Sequence, residues 1–255
     1  MQVWQYFLIA VGALLAGGVN SLAGGGTLIT FPLLTFVGLP AVSANMTNTV
    51  ALCPGYFGSA YAQKGLLQKQ KSRLRWFIPA AVLGGVTGGY LLMITGEKAF
   101  RNVVPFFILF ASLFLAGGEP LKKLLISKTG LKTITLRQNL LGSGAVFLAT
   151  CYGGYFGAGL GVILLAALGM IANDSLVRLN ALKQTLSLAC NVAAALFFVF
   201  SQRVNWGVAG VMAVAALLGG VIGGKLAGKV NSQVMRWIVV AIGLSVAVYY
   251  FVTLY

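Results

Sequence analysis

Histidine is absent from this chain, and only three side chains carry a carboxylate: Glu97, Glu119 and Asp174. Without imidazole there is neither a histidine metal site nor a histidine proton relay. A membrane enzyme would need His, Cys or acids clustered at the water interface, and three scattered acids do not supply that. Cation transporters draw on intramembrane carboxylates. Their near absence turns the expectation towards an anion. Cysteine is scarce too: Cys53, Cys151 and Cys190 lie in apolar runs, are odd in number and lack metal-ligand spacing, so they read as small buried hydrophobes. No cofactor is implied. Charge of either sign is missing before Lys64. Lacking a basic n-region, the start does not read as a cleaved signal peptide, and the first helix is expected in the mature protein.

What is abundant is apolar sequence. Hydrophobic residues make up 59% of the 255 positions and charged residues 8%, with a mean hydropathy of +0.93. A soluble domain carries about a quarter charged residues, so the expected class is integral membrane protein. The apolar runs are long and continuous rather than alternating, which makes the fold all-α. The net charge of +15 sits between these runs. Topology and contact with anionic lipid headgroups explain it there, and no nucleic acid partner is expected.

Charges cut the chain into uncharged blocks. Five of them, 76–96, 102–118, 184–202, 204–224 and 237–255, each fit one span. The blocks 1–63 and 138–173 are too long for that. The first divides into a helix near 3–22, a glycine break, a short segment near 27–38 and a helix near 41–62; Pro54 is expected to kink the last. The second repeats the plan, with a helix near 138–152, a break through 153–161, a short segment near 162–172 and a further helix over 175–201. Each short segment is broken or re-entrant. The organisation is then a first repeat over 1–118, a basic cytoplasmic linker over 119–137 and a second repeat over 138–255. Five segments per repeat invert the second relative to the first. Placing the Lys64–Arg75 loop inside collects thirteen Lys and Arg on that side against three opposite, with both termini outside.

The repeats are visible residue by residue. A shift of 135 positions lays Gly24 to Gly26 on Gly157 to Gly161, Asn45 on Asn180, Asn48 on Lys183 and Arg101 on Arg236. It also lays Leu83–Leu91 on Leu218–Leu226 with seven of nine residues identical. One constant offset over that length marks a duplication. Inverted repeats with interrupted segments at matching positions are a transporter architecture, with substrate held where the interruptions meet. The reason is chemical: broken backbone leaves N–H and C=O groups that lipid cannot satisfy, and a helix N-terminus starting there suits an anion. Gly24, Gly25, Gly26, Gly157, Gly159 and Gly161 are therefore candidate site residues. Glycine also serves close helix packing, and both roles stay open for the pairs within Leu83–Leu91 and Leu218–Leu226.

Polar side chains cluster near the same breaks. Asn180, Gln184, Ser187 and Asn191 fall at i, i+4, i+7 and i+11, one face of a helix, with Lys183 at its border. Asn45, Thr47, Asn48 and Thr49 are the counterpart. Lys183 admits two readings: a snorkelling lysine near a helix end, or the electrostatic anchor of an anion. Asp174 reads as a helix cap, and Glu97 and Glu119 as solvated segment ends.

At these residues the chain resembles the sulfite exporter family that includes the TauE and SafE proteins. The matching features are Asn20-Ser-Leu-Ala-Gly-Gly-Gly26, Pro32, Gly38-Leu-Pro40 and Ala44-Asn-Met-Thr-Asn48, with an echo from Gly153 to Lys183. The resemblance implies a plasma-membrane carrier with two inverted halves that exports sulfite, sulfoacetate or related sulfur anions. It places Asn45, Thr47 and Asn48 at the substrate site beside Gly24–Gly26. Where many members read Gly-Thr-Ser, this chain has Asn180-Ala-Leu-Lys183. The full candidate set adds Asn180, Lys183 and Gln184. The expected function is secondary transport of a small sulfur-containing anion, with an anion channel or a carrier of another anion such as a carboxylate as the alternatives. The expected partners are that anion and the lipid bilayer, with a homodimer as one open arrangement.

Overall fold

The computed structural model describes residues 1–117, 136–171, 174–227 and 229–254. Among them every regular element is helical: α1 (Val3–Leu22), α2 (Thr27–Phe36), α3 (Ala41–Ala62), a 3-10 stretch (Lys64–Gln70), α4 (Lys71–Ile94), α5 (Glu97–Ala116), α6 (Leu136–Tyr155), α7 (Leu160–Ile171), α8 (Leu176–Val199), α9 (Trp206–Leu226) and α10 (Ser232–Leu254). Six of these, α1, α4, α5, α8, α9 and α10, are long and apolar enough to cross a membrane. The ends of α1 and α3 coincide with the sequence expectation, and α3 runs on through Pro54 as one helix. Of the expected linker only Leu136 and Arg137 are described, and they open α6. Glu119 and the lysines 122, 123, 128 and 132 lie outside the described residues.

Two long helices, α3 and α6, are missing from the apolar set. For α3 the reason is position. Fifteen of its residues are buried, among them Asn45, Thr47, Asn48 and Thr49, so it lies inside the bundle and has little lipid to face. A polar stripe costs little there when protein satisfies it.

Each short helix returns towards the face at which the helix before it starts. Tyr6, in the first turn of α1, lies against Gly207. The chain leaving α2 reaches the same face: Ser43 Oγ donates to Arg203 O at 2.6 Å, and Thr47 Oγ1 accepts from Asn205 N at 3.0 Å. At the opposite face Gly142, early in α6, packs against Phe77 and against Ile171, the last residue of α7. Both pairs are hairpins whose breaks lie inside the protein.

Helix pairing is interwoven. α1 and α3 both pack on α9, while α6 and α8 both pack on α4; α3 crosses α8, and α5 pairs with α10. The 135-residue shift that exchanges α1 with α6, α3 with α8 and α4 with α9 carries this list into itself. The glycine pairs make the contacts possible. A Cβ on Gly220 would run into the Gly55 carbonyl, and one on Gly85 into the Cys190 carbonyl. Gly84, Gly88, Gly219 and Gly223 are likewise closed in by backbone of α6 or α1. Of the two roles left open for these glycines, packing is the one observed. In lipid, where the hydrophobic effect does not drive helices together, close backbone approach supplies the van der Waals contact.

Asp174 departs from the expected cap. Ser175 is the residue preceding α8, and Asp174 instead bridges Arg73 at 2.7 Å and Arg178 at 3.2 Å. Gln70 Nε2 adds a bond to Arg178 O at 2.9 Å, so the start of α4 is tied to the start of α8. Burial works to raise the Asp174 carboxyl. The Arg73 hydrogen bond, the Ser175 N–H and the two guanidinium charges outweigh it and hold the group below the usual carboxylate range. Glu97, although exposed, accepts from Ala41 N and Val42 N and so caps α3 across the chain.

Two outcomes follow. Gly220→Val should cost about 1–3 kcal/mol and lower the thermal transition in detergent, while Gly210→Val, with open space around it, should leave it unchanged. A carboxyl depressed in the folded state stabilises above its unfolded pKa, about 3.9, and that stabilisation is lost as pH falls through the folded value. Asp174→Asn should therefore be less stable than wild type at pH 7 and show a shallower acid-induced loss in thermal scans.

Candidate functional site

A helix ending in the protein interior leaves its last carbonyls without intrahelical partners. The end of α1 meets that requirement with side chains from α8. Asn20 O accepts from Lys183 Nζ at 3.1 Å and from Gln184 Nε2 at 2.7 Å. Ser21 O accepts from Asn180 Nδ2 at 2.9 Å, and Asn180 reaches Gln63 Oε1 at 3.1 Å as well. These donors sit at the negative end of the α1 dipole, where a cation is favoured. Asn20 also reaches across the break, its Oδ1 accepting from Gly26 N at 2.8 Å. The break itself uses Gly24 and Gly25 at φ of 83° and 95°, a left-handed conformation that side chains with a Cβ disfavour.

The second break mirrors this. Gly157 and Gly159 carry φ of 78° and 73°. The carbonyl of Tyr155, at the end of α6, accepts from Asn45 Nδ2 at 2.8 Å. Under the 135-residue shift Asn45 corresponds to Asn180, and Tyr155 to Asn20, the neighbour of Ser21. Each third helix thus donates an amide to the end of the other first helix.

The two breaks touch. A Cβ on Gly161 would stand 3.1 Å from Gly24 Cα and 3.5 Å from Lys183 Nζ, and one on Gly157 would stand 4.0 Å from Thr27 Oγ1. Asn48 joins the group through α2, with Nδ2 donating to Thr27 Oγ1 at 3.3 Å and Oδ1 accepting from Thr30 Oγ1. The structure therefore gathers Gly24, Gly26, Asn48, Gly161, Asn180, Lys183 and Gln184 around the breaks, with Gly25, Asn45, Gly157 and Gly159 along their edges. Thr47 lies elsewhere: its hydroxyl holds the Asn205 backbone at the start of α9.

Lys183 does not snorkel. It is 1% exposed, and its ammonium makes one hydrogen bond and meets no carboxylate among the described residues. Asp174, the nearest acid in sequence, is held by Arg73 and Arg178. Asn20, Thr27, Thr30, Gln63 and Tyr155 were not expected at the site. Asn20 stood in the Asn20–Gly26 run as a hint, but Tyr155 contributes only a backbone carbonyl, which composition does not mark.

The family model of the sulfite exporter TauE/SafE matches residues 8–250. The chain belongs to that family. This TauE/SafE protein is 26% identical over 254 residues to the "Probable membrane transporter protein ORF9" of Sinorhizobium, covering 97% of the chain and 94% of the relative. It is 25% identical over 214 residues to the "Probable membrane transporter protein YfcA" of Escherichia coli, covering 81% and 75% of the two. A "Probable membrane transporter protein" of Haemophilus influenzae is 29% identical over 210 residues, covering 80% and 78%. With six helices among the described residues long and apolar enough to cross a membrane, the TauE/SafE protein is a multi-pass membrane transporter of the plasma membrane.

Asn180→Leu removes the amide that serves Ser21 O and Gln63. Leaving buried groups unpaired costs about 1–3 kcal/mol each, so the variant should unfold at lower temperature than wild type in the same detergent. Asn45→Leu, which strands Tyr155 O, should behave alike.

Proposed function

We propose that this TauE/SafE protein is a secondary transporter that exports a small sulfur-containing anion, sulfite or an organosulfonate, by alternating access through the paired breaks. The observation that carries the reading is the enclosed ammonium of Lys183 beside Gly161 and Gly24. An uncompensated charge inside a protein is costly, and a passing anion offsets that cost. α2 and α7 both start at the breaks, so their N-terminal N–H groups and positive dipole ends add to the attraction.

The two-repeat division supports alternating access. Residues 1–118 and 138–255, joined by the basic cytoplasmic linker 119–137, form inverted repeats in this reading, and interchange of their conformations opens the site to either side. The self-matching helix pairing is what supports it. The basic residues Lys64, Arg73, Arg75, Lys225 and Lys229 mark the cytoplasmic face by the positive-inside rule. A negative interior then drives anion exit without a coupled ion.

The test is counterflow of labelled sulfite into proteoliposomes preloaded with unlabelled sulfite or a short sulfonate. Wild type should accumulate label transiently, and Lys183→Gln, which keeps a donor for Asn20 O but loses the charge, should fall at least tenfold. Counterflow that persists in Lys183→Gln refutes the anchor role. Conductance beyond carrier turnover favours a channel, and counterflow with short carboxylates alone moves the substrate class.

A further inference from the structure

An amide has two ends, and burying either without a partner is costly. In Gln184 the nitrogen is committed to Asn20 O at 2.7 Å, and in Asn180 to Ser21 O at 2.9 Å. A backbone carbonyl only accepts, so the orientation of both amides is settled and their oxygens face the other way. Those oxygens, Asn180 Oδ1 and Gln184 Oε1, are buried and meet no donor among the described residues. Ser187 Oγ, one turn further along the same face of α8, is in the same state. Asn45 repeats the pattern at the other break, with Nδ2 on Tyr155 O and Oδ1 without a donor. All four side chains are more than nine-tenths buried.

One ammonium is thus accompanied by three amide oxygens that only accept and by one hydroxyl. A fully deprotonated dianion such as sulfate brings only acceptors, and would leave the Asn45, Asn180 and Gln184 oxygens without a donor. A metal cation would suit the oxygens, but Lys183 opposes it: its ammonium and the Gln184 amide bond the same carbonyl oxygen. A ligand with negative charge at one end and its own hydrogen-bond donor at the other satisfies both. Resting on the anion-site reading above, we propose that the site selects monoanions that carry an O–H or N–H donor. These are hydroxysulfonates and the singly protonated form of sulfite, preferred over dianions and donor-free sulfonates.

Ethanesulfonate and 2-hydroxyethanesulfonate separate the two requirements, since they share charge and length and differ by one hydroxyl. Titrated into the purified full chain and followed by calorimetry or thermal shift, the hydroxylated compound should bind at least tenfold tighter, because a site built for a donor rejects the analogue without it. Ser187→Ala, which removes a hydroxyl that holds nothing else among the described residues, should narrow that ratio severalfold. Equal binding of the two sulfonates would overturn the proposal and leave the anion site standing. So would sodium-dependent stabilisation, relative to choline, without discrimination between them. Binding of neither compound nor of sulfite would bring down the anion site itself together with the proposal.

Discussion

Two helix ends have to be satisfied inside a medium that offers no water, and the centre of this protein is organised around that. The carbonyls at the ends of α1 and α6 would each cost several kcal/mol if exposed to hydrocarbon. They are met by amides and an ammonium from α8 and α3, and each donor comes from the opposite end of the duplicated sequence. The polar residues that make the breaks tolerable are therefore the same residues that surround them. Lys183 serves Asn20 O with one donor and meets no carboxylate among the described residues.

Close packing follows from the same geometry. Side chains from α8 reach α1 only if α4 and α9 let their neighbours approach almost backbone to backbone. Gly85 against Cys190 and Gly220 against Gly55 provide that at symmetric places. A methyl group at either would push α8 or α3 away and stretch the hydrogen bonds at the breaks. The rarity of carboxylates fits as well. Glu97 and Asp174 are spent at opposite faces, one capping α3 and one clamping Arg73 and Arg178. Neither acid reaches the interior to neutralise Lys183.

Family membership and geometry meet at the breaks. The Asn20–Gly26 run and the Ala44–Asn48 run, which carried the resemblance, are joined by Thr30, whose hydroxyl bonds both Gly26 O and Asn48 Oδ1. Gly24 itself meets Gly161, where α8 brings Lys183.

Much was determined by the amino-acid sequence alone. Hydropathy and the placement of charge specify an all-helical membrane protein, because a bilayer admits so few ways of satisfying the backbone. The limits of α1 and α3 were legible because Pro40, Gly24 and Lys64 punctuate apolar runs. The constant 135-residue offset was legible because it is a property of order, not of contact. Tertiary structure decided the rest. That α2 and α7 turn back depends on which faces Tyr6, Ser43, Gly142 and Ile171 share, and length alone does not distinguish a crossing from a hairpin. Thr47 facing Asn205, Asp174 bridging Arg73, and Lys183 ending on Asn20 O all depend on residues 101 to 163 positions apart. Helical periodicity says which side chains share a face. Only packing says what that face meets.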